Sequence, residues 1–478
     1  MQLTIHNLGK IRDADIMIDG ITVIAAHNDT GKSTIGKAAF ALLNSFEDFS
    51  DKIRSDMRNS LAMTIMRISS SKEHSIDLLA GLGIADALAQ FSSRIHDESD
   101  LIRNISIIRD HYSEVLLQGK PADNDGVPSF LAENKEEAEG DAEDPETIQA
   151  VVDLASRLLS SAEDAQQCRQ TLLRLMAIDV QTKSATLVER TFKQVFDGQV
   201  AGKFPDADGE TSICLTTKQH AHDERDRKVT FQGEHCISVS DASDESRRVL
   251  IIDDPDVINS FDYRRSRRLL WGSSYRQELI DAARSALRKE AADKAQNLSE
   301  SILAEEDMQD IIKLLQGDFS GQGKLGAHGM IMVRDQISEP INMSNASMGS
   351  KAMMLLRFLV EHLVVRNDDI LVLDEPEIHL HPEWQITYAH ALVLIAKRMG
   401  IKVIVTTHSP FFLKALAGYS GIEDYSDQVR YYTADDNEDG SNTFREVTDS
   451  GIGELYASMS RPLREIDRAV FAEMRPND

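Results

Sequence analysis

The run Ile21-Thr22-Val23-Ile24-Ala25, continued by Ala26-His27-Asn28-Asp29-Thr30-Gly31-Lys32-Ser33-Thr34, decides how this 478-residue chain is read. A short β-branched run bounded by polar residues predicts a strand buried on both faces of a parallel sheet. The spacing of apolar residues from Ser33 to Phe46 predicts the helix that follows. A strand, a loop and a helix in that order turn backbone N–H groups toward one point at a helix N-terminus, where phosphate is favoured. Residues His27, Asn28, Asp29, Thr30, Gly31, Lys32, Ser33 and Thr34 are thus the expected phosphate cradle, with Lys32 reaching the β and γ oxygens and Ser33 the accompanying Mg²⁺. Loops of this kind usually open on glycine; Ala26 stands here instead, and its Cβ narrows the backbone angles at the mouth of the loop. A chance Gly-Lys-Ser-Thr turn is the bland alternative, and the strand before it and helix after it argue against that.

Two further apolar runs end in chemistry. Ile370-Leu371-Val372-Leu373 delivers Asp374-Glu375-Pro376-Glu377, and Val403 to Thr406 delivers Thr407-His408-Ser409-Pro410. Between them Trp384 to Arg398 reads as a crossover helix, which makes the two runs neighbouring parallel strands. Adjacent carboxylates at the end of a buried strand suit divalent-cation binding by Asp374 and proton acceptance from an attacking water by Glu375. A histidine at the end of the next strand suits hydrogen bonding to a γ-phosphate; the plain alternative is a structural histidine.

These residues resemble the ABC-type ATPase heads found in RecF, in SMC proteins, and in the ATPase parts of OLD-family nucleases and of Septu, retron and related phage-defence systems. Leu373-Asp374-Glu375-Pro376-Glu377-Ile378-His379-Leu380-His381-Pro382 is similar to this branch and unlike transporter cassettes. The resemblance covers residues 1 to about 48 and about 325 to 420, and the closing segment Ile452 to Asp467 more loosely. It implies an α/β fold: an ABC-type P-loop NTPase head with a mixed sheet, interrupted by a largely helical insertion. It also implies a signature motif before the second strand, and Ser347-Met348-Gly349-Ser350-Lys351 occupies that place. The motif departs from the family at Ala346, Met348 and Ser350, but Ser347 and Gly349 are kept. A Q-loop glutamine is not found; Val249 to Ile252 and the turn Asp253-Asp254-Pro255 fall in that region. In such heads the phosphate loop of one subunit faces the signature of another, so ATP and Mg²⁺ would join two chains head to tail. Lys32, Ser33, Asp374, Glu375 and His408 would come from one side, and Ser347, Met348 and Gly349 from the other.

Composition sets limits on partners. With 52 Lys and Arg against 79 Asp and Glu the formal net charge is −27. A chain this acidic cannot bind polyanions over its whole surface, so nucleic acid would need a partner or a local basic patch. The densest patch is Arg264, Arg265, Arg267 and Arg268, which could equally pair with the protein's own carboxylates. Cys168, Cys214 and Cys236 have no metal-ligand spacing and read as structural thiols in a reducing compartment. No secretory leader and no membrane-length apolar run is seen, so a cytoplasmic protein without membrane partners is expected. Arg357 and His362 have an R-x4-H spacing but fall in the helix after the signature, where packing is the expected role.

The expected organisation is an N-terminal part of the head over 1–48, a helical insertion over 49–200 with an acidic linker near 121–146, and a β-meander over 201–262. A helical segment over 263–325 and the C-terminal part of the head over 326–478 complete it. Ser69 to Ser71 and Gly81 to Gly83 interrupt the helical spacing of 51–118, and Gly317 to Gly326 is too glycine-rich to continue a helix. The resemblance implies a sensor or regulatory ATPase of a phage-defence complex, forming a homodimer or higher oligomer and controlling a separate nuclease-like effector. A DNA-clamping repair ATPase and a slow-turnover ATP-bound scaffold are the alternatives.

Overall fold

The computed structural model describes residues 1–67, 74–90, 92, 95–118, 145–204, 209–220, 223–261, 275–293, 308–316, 321–326, 329–334, 339–447, 451–461 and 465–466. The chain divides into two compact units, one of Met1–Glu47 with Ala185–Asp478 and one of Asp48–Ser184.

The first unit is built on an eleven-stranded mixed sheet, the α/β architecture expected from sequence. Its strands are β1 (Gln2–Leu8), β2 (Ile11–Met17), β3 (Ile21–Ala25), β4 (Glu210–His220), β5 (Asp223–Gln232), β6 (His235–Val239), β7 (Val249–Ile252), β11 (Ile370–Asp374), β12 (Lys402–Thr407), β13 (Val429–Asp436) and β14 (Asn442–Val447). They lie in the order β6-β5-β4-β1-β2-β14-β13-β3-β12-β11-β7. From β13 to β7 all neighbours are parallel, and β3, β7 and β11 bury nearly every residue, as strands covered on both faces must. From β6 to β2 neighbours are antiparallel. There one face is wetter, and β2 alternates accordingly: Ile11, Ala14 and Ile16 are buried while Asp13, Asp15 and Met17 are exposed.

Helices α1 (Lys32–Phe46), α8 (Tyr275–Asp293), α9 (Met348–Glu361), α10 (Pro382–Met399), α11 (Pro410–Ile422) and α12 (Ile452–Met459) belong to this unit. The helix α9 buries almost all of its length, and its Met353, Leu356 and Leu359 share one core with Leu371 and Leu373 of β11 and Leu392 and Ile395 of α10. A second, three-stranded sheet has the order β10 (Ile341–Asn342), β9 (Gly329–Arg334), β8 (Gly321–Gly326). The glycine-rich stretch that cannot continue a helix holds a strand at its end, because the ladder from Gly321 to Gly326 along β9 fixes what local propensity leaves open.

The second unit is helical: α2 (Phe49–Met66), α3 (His74–Gln90), α4 (Glu98–Gln118), α5 (Pro145–Leu158), α6 (Glu163–Met176) and the start of α7 (Val180–Val195). It closes on its own core, which includes Leu61, Ile84, Leu88, Leu101, Leu154 and Leu172. Gly81 and Gly83 do not interrupt a helix as their spacing suggests: α3 runs through both. Each glycine costs a helix about 1 kcal/mol, and burial of Ala80, Ile84, Ala87 and Leu88 outweighs that.

Candidate functional site

The ends of β3, β11 and β12 are adjacent along the sheet, so the three sequence motifs converge at one edge. Residues 26–31 lead from β3 into α1. Gly31 sits before the helix at φ 91°, a left-handed conformation in which a side chain is strained, and Asp29 is left-handed as well at φ 68°. Thr30 Oγ1 closes the loop on the His27 carbonyl at 2.9 Å, and Lys10, from the turn between β1 and β2, pairs with Asp29. His27, Asn28 and Asp29 are exposed while Lys32 is buried. Its Nζ donates to Asn28 Oδ1 at 3.0 Å and pairs with Glu375 Oε1 at 2.6 Å.

On β11, Asp374 Oδ1 accepts from Ser33 Oγ at 2.8 Å and from Thr406 Oγ1 at 2.5 Å. Glu375, the next residue, has φ 48°, an unfavourable angle for a residue with a side chain. It is held there by its N–H, which donates to the Thr406 carbonyl at 3.1 Å and Thr406 Oγ1 at 3.0 Å. His408 places Nδ1 3.3 Å from Glu375 Oε1 and 3.7 Å from Glu377 Oε1. Thus Lys32, Ser33, Asp374, Glu375 and His408, all picked from sequence, lie in one cluster joined by hydrogen bonds and ion-pair contacts.

The residues suit Mg²⁺. A serine hydroxyl and a carboxylate already converge within 2.8 Å, and Lys32 is surrounded by acceptors that phosphate oxygens can replace. Among the described residues no group of three or more His, Cys, Asp or Glu could hold a metal by itself.

Sequence reasoning gave no role to Glu377, Thr406, Thr407 or Gln385. Glu377 is 2% exposed, and its Oε1 accepts from Thr407 Oγ1 at 2.6 Å and from the His408 N–H at 3.1 Å. Burial pushes its carboxyl pKa up, against those hydrogen bonds. Gln385 on α10 ties the same region together: Nε2 donates to the Leu380 carbonyl at 3.1 Å and Oε1 accepts from Ser409 Oγ at 2.9 Å. Asp-Glu-Pro-Glu carries the signal for Glu377, but nothing in the string separates its second glutamate from a solvated turn residue.

The signature residues are placed elsewhere. Ser347 caps α9, its Oγ accepting from the Ser350 N–H at 3.2 Å. Ser347 is exposed and Met348 half-buried, whereas Gly349 is buried, and a Cβ on it would lie 2.6 Å from the His379 carbonyl oxygen. Among the described residues no hydrogen bond or ion pair joins 347–349 to 27–34. The β7 end, where the glutamine was sought, carries Asp253 bound by Tyr275 Oη at 2.7 Å and by Arg276 Nη2 at 2.8 Å. Asp254 caps the turn over Pro255–Ser260, and both acids line a small cleft beside Asp374 and Glu375. Burial, and then the bond to Asp253, push the Tyr275 phenol up to about 12. Arg264, Arg265, Arg267 and Arg268 lie outside the described residues. Arg357 is buried and bonds Glu361 at 3.1 Å, within its own helix.

Residues 233–413 match the family described as AAA ATPase domain; the match takes in 347–349, β11 and β12 but not 26–34. No curated protein matches the chain. In solved structures the chain is similar to the SMC head domain from Thermotoga maritima, at 10% identity over 94% of this chain and 98% of that one, with a TM-score of 0.37. It is also similar to an SMC head bound to the C-winged helix domain of ScpA (10%, 95% and 98%, TM-score 0.43). A third is an SMC head with an extended coiled coil bound to the C-terminal domain of ScpA, from Pyrococcus furiosus (9%, 96% and 98%, TM-score 0.38). These are distant likenesses. Over residues 233–413 the chain is similar to an ATPase domain, and ATP hydrolysis is the activity that this match supports.

Proposed function

We propose that ATP is bound by His27 to Thr34 and hydrolysed at the cluster of Lys32, Ser33, Asp374, Glu375 and His408. The convergence of these five side chains from the start of α1 and the ends of β11 and β12 is the observation that carries the reading. Phosphate oxygens compete for Lys32 and free Glu375 from its ion pair. Glu375, at the strand end beside the loop, then accepts a proton from the attacking water, and His408 donates to the γ-phosphate. Mg²⁺, held by Ser33 and Asp374, supplies charge neutralisation on the phosphates.

Two chains complete the site. Ser347 is exposed at the start of α9 and makes no bond to residues 27–34 of its own chain among the described residues, a position from which it can meet the γ-phosphate of a partner. ATP then favours the closed pair and hydrolysis releases it. In the finer reading the chain is the sensor or regulatory ATPase of a phage-defence complex that restrains a separate nuclease-like effector. Its net charge of −27 favours a protein partner over a DNA duplex.

The test is hydrolysis and ATP affinity measured side by side. Glu375→Gln is expected to keep ATP binding while turnover falls about 10²- to 10⁴-fold, the range for loss of a general base, and to accumulate the dimer in light scattering. Undiminished turnover would remove Glu375 from the mechanism. For the biological role, the tagged chain is captured with ATP and Mg²⁺ from its native host. An effector protein in fixed ratio supports the regulatory reading, and DNA without protein supports a clamp.

A further inference from the structure

We propose that Glu377 is a positioning residue: its buried carboxyl fixes the turn after β12 so that His408 faces Glu375. The inference rests on the roles just given to Glu375 and His408. The His408 side chain is 43% exposed, so packing does little to hold the ring, and its placement depends on its backbone. That backbone is anchored by Glu377 Oε1, which accepts the His408 N–H at 3.1 Å and the Thr407 hydroxyl at 2.6 Å. The Thr407 oxygen in turn accepts from the Ser409 N–H at 3.0 Å, so one carboxyl oxygen organises three successive residues.

Two observations separate this from a merely structural acid. First, the two turns are already braced by Gln385, which binds the Leu380 carbonyl and the Ser409 hydroxyl, so joining them does not require a buried carboxyl. Second, Glu377 Oε2 has no hydrogen-bond partner among the described residues although the side chain is 2% exposed. A buried acid with one orphan oxygen is destabilising by itself, and an apolar residue would fill the space with less desolvation. What the acid adds is confined to Thr407 and His408. The next side chains around His408 are Glu375 and, through it at 2.6 Å, Lys32.

The experiment uses the 478-residue chain and four variants: Glu377→Ala, Glu377→Gln, His408→Ala, and the double variant with both alanines. Glu377→Ala is expected to lower kcat about tenfold to a hundredfold, as small misplacements of a reacting group do, while ATP affinity stays within about twofold. Glu377→Gln, which keeps an oxygen acceptor, restores most of kcat. The double variant turns over no more slowly than His408→Ala alone, because Glu377 acts through His408. Equal slowing by Glu377→Ala in the wild-type and His408→Ala backgrounds would overturn the proposal while leaving His408 in its role. Wild-type turnover by His408→Ala would instead overturn the role of His408, and the positioning of it with it. If Glu377→Ala does not fold, Thr407→Val tests the same anchor by removing one donor; several-fold slower turnover that vanishes in the His408→Ala background supports the proposal, and equal slowing in both overturns it.

Discussion

Glu375 is at once the neighbour of His408 and the ion-pair partner of Lys32, a buried cation only 5% exposed at its side chain. Lys32→Ala therefore removes the cation proposed to bind phosphate and leaves Glu375 without its partner; ATP affinity is expected to fall by about tenfold or more, a single charge-assisted contact being about 1.5 to 3 kcal/mol. Isothermal titration checks it. At Gly349 the limit is space: a Cβ would sit 2.6 Å from the His379 carbonyl oxygen, which belongs to the turn that follows Glu375. Gly349→Ala is expected to lose about 1 to 3 kcal/mol of stability by overpacking, seen as a lower urea midpoint. The sequence placed Lys32, Ser33, Asp374, Glu375 and His408 because each belongs to a short motif that follows an apolar run whose register is local. It could not show that Glu377, two residues on, turns inward while Ile378 turns out to 54% exposure.

Among elements, the antiparallel wing depends on charge as well as on apolar packing. Arg227 on β5 is buried against the Phe46 ring, its centre 4.5 Å away, and bonds Glu245 at 2.6 Å; Arg247 bonds the same carboxylate at 2.8 Å. Burial is the largest influence on Glu245 and pushes its pKa up, yet the bonds from Arg247 and Arg227 outweigh it and hold the group below the usual carboxylate range. Asp241, bonded to Arg225 and Ser243, is held low in the same way. A lowered folded pKa gives stability that is present above the ordinary carboxylate range and lost as pH falls through the folded value. Stability is thus expected to drop on acidification below about pH 4, and less steeply in Glu245→Gln, measured as urea midpoints against pH. Glu377 has the opposite sign: its raised pKa gives stability present at low pH and lost as pH rises through the folded value. Arg227→Ala leaves Glu245 buried with one cation fewer and is expected to cost about 3 kcal/mol, the lower end for breaking a buried pair. None of this was visible in the string, where Arg227 and Glu245 are two of many charges separated by a meander.

For the whole molecule, the two compact units have separate apolar cores. Residues 48–184 expressed alone are expected to give a helical circular dichroism spectrum with a cooperative thermal transition, since a unit with its own core can fold by itself; a spectrum without helix would show that its core needs the head. By itself the sequence determined where Lys32, Asp374, Glu375 and His408 stand relative to the parallel strands that carry them. Each of these depends on a short stretch whose burial on both faces is written in its β-branched residues. Only the tertiary structure decided the order of the eleven strands, the strand made from Gly321–Gly326, the passage of α3 through Gly81 and Gly83, and the inward turn of Glu377. The reason is physical: a ladder partner, a helix face and a buried carboxyl are all settled by groups distant in sequence, whose contacts outweigh local propensity.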